Sequence, residues 1–181
     1  MDERLRTSPN CMKHSKGFSL IELLLVVVII GIVAAIAIPN LISARRAANE
    51  GSAVSSLRTL FGANVSFAAT AGSGRYAGTA GTVGTSSMAE LYTANLIDGV
   101  LRDGEKSGYS FVGDSTLTTP TAQATFYFAT NPATTTGVLA TGTNRFGIGS
   151  DGVVRYDSTA AALAIPFDAA TLLTAQPIGN Q

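Results

Sequence analysis

From Leu23 through Ala44 the chain carries no charged side chain, a run of 22 residues. As an α-helix it extends about 33 Å, enough to cross a hydrocarbon core of roughly 30 Å. One acid, Glu22, stands immediately before it, in the segment KGFSLIELLLVVVIIGIVAAIAIPN from Lys16 to Asn40. A bare carboxylate is costly against lipid, so Glu22 needs a partner or a place at the interface.

Three structures suit such a run: a buried core helix, a cleaved signal peptide, or a retained membrane helix. A core helix of this length normally shows a polar face, and this one has none. Ala35-Ile36-Ala37 fits the small-residue pattern of signal-peptidase sites, but the apolar stretch before it exceeds an ordinary signal core and Glu22 interrupts its start. A retained helix accounts for more of the pattern. Arg4, Arg6, Lys13 and Lys16 precede it against only Asp2 and Glu3. This basic excess holds the N-terminus in the cytoplasm and sends the remainder outward.

Charge and cysteine usage exclude several functions. Beyond Gly17 there remain 8 basic and 10 acidic residues, a formal charge of −2, so no bulk basic surface invites nucleic acid. Cys11 and His14 are the sole cysteine and histidine, both ahead of the apolar run. That excludes a disulfide framework, Cys-based metal sites and most nucleophilic triads. No apolar run precedes Cys11, which speaks against a lipoprotein cysteine. Met12 is an alternative start, opening the compact basic leader MKHSKG.

The helical pattern continues past the apolar run. Val54, Leu57, Phe61 and Val65 recur at i, i+3, i+7 and i+11, with Ala53, Leu60 and Ala68 alongside, predicting one apolar stripe on a helix that reaches about Thr70. Pro39 interrupts the backbone ladder and Gly31 weakens it, so the segment between them is a candidate for stretching or unwinding.

KGFSLIELL, with Pro39 ending the apolar run and an amphipathic continuation, resembles the type IV pilin family from Lys16 to about Leu60. The motif is a glycine, an aromatic residue, a glutamate four positions on, and a long uncharged helix. The resemblance implies a prepilin leader cut after Gly17 by an inner-membrane prepilin peptidase, with Phe18 as the new, N-methylated terminus. Methylation retains the charge of the Phe18 ammonium. In a staggered bundle, Glu22 of one subunit then meets the Phe18 amine of its neighbour. Two charges costly alone become one neutral pair, most favourable in the register that joins them. The alternative is a Glu22 that snorkels to the interface or sits at the positive end of the helix dipole.

The remainder predicts an α+β head. Residues 70–85 form a Gly/Thr/Ala-rich connection, and Ser87 with Glu90 reads as a capping box opening a short helix that carries Met88, Leu91, Tyr92 and Leu96. Strands are expected at Tyr109–Val112, Ala122–Ala129, Asn144–Gly149 and Val153–Tyr156, the last two joined by a turn at Ser150-Asp151-Gly152. A small antiparallel sheet packed on the stripe of Val54, Leu57, Phe61 and Val65 is the natural assembly, and it resembles the family's head. The expected divisions are a leader (1–17), a membrane and filament-core helix (18–44), its amphipathic continuation (45–70), the head (71–157) and a tail (158–181). The tail is rich in Ala and Leu and broken by Pro166 and Pro177, predicting a docked short helix or loop.

Other motifs lead nowhere catalytic. The literal G-x-G-x-x-G at Gly147–Gly152 precedes a strand and reads as a hairpin, not a nucleotide site. Gly99–Ser107 has Glu105 where a phosphate-binding loop needs lysine. Asp151 and Asp157 bracket a strand and are the sole calcium candidates, too few for a full ligand set. Arg75 and Tyr76, in the long connection, read as a solvated loop, with a DNA or surface contact as the sharper alternative. No carboxylate pair has a supporting acid/base constellation, so no enzyme, metal or cofactor is expected.

The resemblance implies a major pilin, held in the inner membrane with its N-terminus cytoplasmic and then polymerised with itself into an extracellular filament. Its implied partners are prepilin peptidase acting also as N-methyltransferase, an assembly ATPase with its inner-membrane platform, and an outer-membrane secretin. The alternatives are a type II secretion pseudopilin and a membrane-tethered periplasmic domain that never polymerises. The major pseudopilin typically carries a tryptophan motif in its head, and this chain has no Trp.

Overall fold

The structure, a computed structural model, describes residues 17–179 and separates into two compact units, residues 1–40 and 41–181. Residues 1–16, with Cys11, Met12 and His14, lie outside the described residues, and with them all but Gly17 of the expected leader (1–17). A single helix, α1 (Leu20–Ala69), contributes to both units.

In the first unit the side chains of residues 18–33 are all exposed, Ile21, Val28 and Ile32 among them. Val and Ile dominate this run, and β-branched residues are indifferent helix formers in water. Without water each backbone N–H and C=O must be satisfied within the segment, which makes helix the favoured state. α1 is the one described helix long and apolar enough to cross a membrane.

In the second unit, α1 is followed by α2 (Ser86–Thr93), α3 (Gly99–Arg102) and strands β1 (Glu105–Lys106), β2 (Tyr109–Ser115), β3 (Phe126–Pro132), β4 (Arg145–Gly149) and β5 (Val154–Asp157). A 3-10 turn (Ala160–Ala162), α4 (Ala169–Thr174) and β6 (Gln176–Pro177) complete the chain. The six strands form one antiparallel sheet in sequential order. This is the α+β architecture expected. The third strand starts later than its sequence suggests. Residues 122–125 leave the ladder because threonine hydroxyls take their amides: Thr118 Oγ1 accepts from Ala124 N at 3.2 Å and Thr116 Oγ1 from Thr125 N at 2.8 Å.

The sheet is covered on both faces. Ala53, Leu57, Leu60, Ala63 and Phe67 of α1 are buried with Phe111, Phe126, Phe128 and Ile148 in the main core. Tyr127 and Ala129 point the other way and are buried with Phe167 and Leu172 from the tail. The period-two alternation of β3 thus feeds two cores at once. Gly147 permits the second: a Cβ there would lie 2.5 Å from Leu172 Cδ1 and 3.2 Å from Phe167 Cδ2.

The packing stripe of α1 differs in phase from the one read off the sequence. Leu57 is fully buried, but Val54 and Phe61 are half-buried and Val65 is 45% exposed. The buried side chains are Ala53, Ser56, Leu57, Leu60, Ala63, Asn64 and Phe67. That face is rotated by about one residue step, roughly 100°, from the expected one. Small residues decide it, because Ala53, Ser56 and Ala63 let the sheet's phenylalanines approach the helix where larger side chains would hold them off. Asn64 is fully buried and accepts from Ala77 N at 2.8 Å, fixing the connection after α1.

The expected capping box is absent. α2 begins at Ser86, Ser87 is buried within it, and Thr85 at the cap position makes no side-chain cap bond. Glu90 is engaged elsewhere. It accepts from Gly78 N at 2.7 Å and pairs through both carboxylate oxygens with the Arg75 guanidinium, Nη1 to Oε2 being 3.0 Å. Arg75 also lies over the Phe67 ring at 5.2 Å, and Tyr76 packs on Phe126 at 4.5 Å between centroids. The 70–85 connection is therefore bound to α1, α2 and the core.

The hydrogen bonds from Arg75 hold the Glu90 carboxyl below its ordinary 4.5, against the opposing effect of burial and with help from Gly78 N–H. The stability this contributes is complete above about pH 4.5, the unfolded value, and is lost as pH falls through the lower folded value. Full-length protein in detergent is expected to melt progressively earlier between about pH 5 and pH 3. Glu90→Gln is expected to melt earlier at pH 7 and to show a shallower acid slope. An unchanged melting temperature and slope in the variant would refute this role.

Candidate assembly site

Gly17 and Phe18 precede α1, and Glu22 lies in its first turn. An anion in a first turn faces unsatisfied backbone N–H groups and the positive end of the helix dipole. Phe18 is 77% exposed. No ion-pair partner for Glu22 occurs among the described residues. Farther along, α1 is helical through both Gly31 and Pro39. Pro39 has no N–H to donate back to Ala35, so one rung of the ladder is missing there. A Cβ at Gly31 would meet nothing within 4 Å among the described residues, so their packing imposes no glycine there.

Asp151 is occupied by Arg155, whose Nη2 donates at 2.7 Å, and it accepts from Val153 N at 3.1 Å. The arginine bond is the main cause of its carboxyl lying below the ordinary value. Asp157 accepts from Arg145 at 2.8 and 3.1 Å and from Thr159 N at 2.8 Å. Burial pushes the Asp157 carboxyl up, and the bonds from Thr159 and Arg145 outweigh it to leave the group below its ordinary value. Both calcium candidates are thus spent on separate arginines. No group of three or more His, Cys, Asp or Glu side chains able to hold a metal occurs among the described residues. Gly147–Gly152 forms the β4–β5 hairpin, with Gly152 N donating to Gly149 O at 3.0 Å and Gly152 at φ +73°.

Two clusters escaped the sequence reading. Arg145, only 8% exposed, binds Asp157, donates to Ile165 O at 2.9 Å and stacks on Phe167 at 4.1 Å. Arg46, Asn49 and Glu50 of α1 bind the loop between β3 and β4. Their partners are mainly backbone atoms more than 90 positions away, which no local pattern encodes.

The N-terminal segment carries the relationships of the chain. The family model of the prokaryotic N-terminal methylation motif matches residues 12–38. The type IV wide pilus major component PilA4 of Thermus thermophilus is 59% identical over 39 residues, 22% of this chain and 30% of that protein. The type IV major pilin protein PilA of Myxococcus xanthus is 48% identical over 54 residues, 30% of this chain and 24% of that protein. The chain thus matches less than a third of the length of either relative. No solved structure matches the chain significantly. Through this N-terminal segment the chain is similar to type IV pilins, and the residues after it form an α+β fold.

Proposed function

We propose that this chain is a major pilin, stored as a single-pass inner-membrane precursor and polymerised into an extracellular type IV pilus. The observation that carries the reading is the junction Gly17-Phe18 followed by Glu22 at the head of a helix whose apolar side chains are exposed all round. Such a surface needs another solvent, lipid in the precursor and neighbouring helices in the filament. Cleavage after Gly17 gives Phe18 a charged amine, and Glu22 of an adjacent subunit neutralises it. Gly31 and Pro39 bound a stretch that yields on assembly, and among the described residues nothing packs against Gly31. Prepilin peptidase with its methyltransferase activity, an assembly ATPase with its membrane platform, and a secretin are the partners this route requires.

Both named relatives are major pilus components, and the absence of Trp agrees with a pilus over a secretion pseudopilus. Mass spectrometry of protein recovered from sheared filaments is expected to show a mature chain starting at N-methylated Phe18. Intact residues before Phe18 in functional protein would favour the non-polymerising tethered domain. Absence of the chain from the sheared fibres would favour the pseudopilin.

A further inference from the structure

The loop between β3 and β4 is fastened to α1 in a graded order. Glu50 Oε1 accepts from Thr143 N at 2.7 Å and from its hydroxyl at 2.8 Å, and Oε2 accepts from Asn144 Nδ2 at 3.0 Å. Next along the helix, Asn49 Nδ2 donates to Thr141 O at 2.9 Å. Nearest the apolar run, Arg46 Nε donates to Ala140 O at 3.1 Å and Nη2 to Gly137 O at 2.8 Å. Following the loop back from 144 to 137 therefore climbs α1 from Glu50 to Arg46. Helical side chains lean toward the N-terminus, which carries the last of these contacts still closer to Ala44.

What Arg46 brackets is unusual for a turn. Ala140 N donates to Gly137 O at 3.2 Å, and Gly137 has φ +74°, so Val138 and Leu139 are the central pair of a β-turn. Such positions in water favour Gly, Asn, Asp, Ser or Pro. Val138 and Leu139 are instead 73% and 76% exposed, the largest values for large apolar residues among the described part of 41–179. They are held at the level of Arg46, two residues past the end of the uncharged run.

We propose that the Val138–Leu139 turn is a second membrane contact, entering the headgroup–acyl boundary of the outward-facing leaflet beside α1. The inference rests on the reading of residues 23–44 as a retained membrane helix. A helix spanning from Leu23 to Ala44 puts Arg45 and Arg46 at the phosphate level, where a guanidinium finds acceptors and two neighbouring apolar side chains find hydrocarbon. A second copy of the chain is the poorer occupant. Two side chains on a turn offer far less than the roughly 800 Å² per partner of a stable protein interface. The bilayer requires no such area, because α1 already confines the head next to it.

The test uses the full chain with Cys11→Ser and a single new cysteine carrying an environment-sensitive fluorophore. The protein is reconstituted in phosphatidylcholine–phosphatidylglycerol vesicles, with or without phosphatidylcholine spin-labelled high on its acyl chain. Leu139→Cys is the reporter, and Val28→Cys marks the span. Leu117→Cys, in the connection at the other end of β3, marks the far side of the head. The expected result is quenching of the label at 139 by about twofold, quenching at 28 and none at 117. Quenching at 28 with 139 no more affected than 117 would overturn the inference and leave the anchor standing. No quenching at 28 would overturn both. An emission shift at 139 that grows with protein-to-lipid ratio and ignores the spin label would assign the turn to a second copy, which also overturns it.

Discussion

Glu22→Ala is expected to abolish filament formation while leaving membrane insertion and processing intact. The substitution makes the N-terminal segment more apolar, so insertion does not suffer. On the proposed pairing, it leaves the neighbour's Phe18 ammonium without its counter-charge in the filament. Removing one member of a buried pair costs about 3–5 kcal/mol, which weakens each subunit addition by roughly two to four orders of magnitude. Sheared filaments should be undetectable from cells carrying the variant, although a mature chain beginning at Phe18 accumulates in the membrane. Wild-type filament yield from Glu22→Ala cells would sink the pairing proposal. Glu22→Gln separates charge from shape: it retains hydrogen bonding but not neutralisation, and should also fail.

The largest effect expected within the head comes from Arg145→Ala. The guanidinium joins β4, β5 and the tail at once through Asp157, Ile165 O and Phe167. Its loss removes a nearly buried charge-assisted fork and a stacking contact, together worth about 3 kcal/mol once the partial exposure of Asp157 is allowed for. Thermal unfolding of the full-length protein in detergent is expected to shift down by about 10 °C. Amide exchange should rise first in residues 163–177, before the central strands β2 and β3 respond. Arg145→Lys should recover less than half of the loss, because an ammonium cannot reproduce the planar fork. A shift under about 2 °C for the alanine variant would show that the tail is held by Phe167 and Leu172 alone.

The parts of this protein that depend on local spacing were legible in its sequence. The uncharged run announces a helix long and apolar enough to cross a membrane, because its length and composition leave few alternatives. The alternating side chains of Phe126, Tyr127 and Phe128 lie on two faces of β3, as a strand within the expected Ala122–Ala129 requires, and Gly152 marks the hairpin it occupies. Glu90 misled because a serine three residues earlier imitates a cap, whereas a guanidinium fifteen positions away offers a stronger partner. Val65 misled for a related reason. Helical periodicity registers large side chains, and the face that packs is the one whose small residues permit close approach.

By itself the sequence determined the chemistry of the N-terminus: where the charge stops, which residue a cut after Gly17 would expose, and where one carboxylate stands relative to it. Those properties follow from neighbours within a few positions and from the solvent the helix must face. Only the tertiary structure decided that the tail covers the second face of the sheet, which face of α1 is buried, and that Arg46, Asn49 and Glu50 carry an apolar turn up to the edge of the uncharged run. These arrangements rest on partners far apart in the chain. Their energy comes from desolvated arginines, backbone carbonyls and glycine-sized gaps, and none of these leaves a period in the sequence.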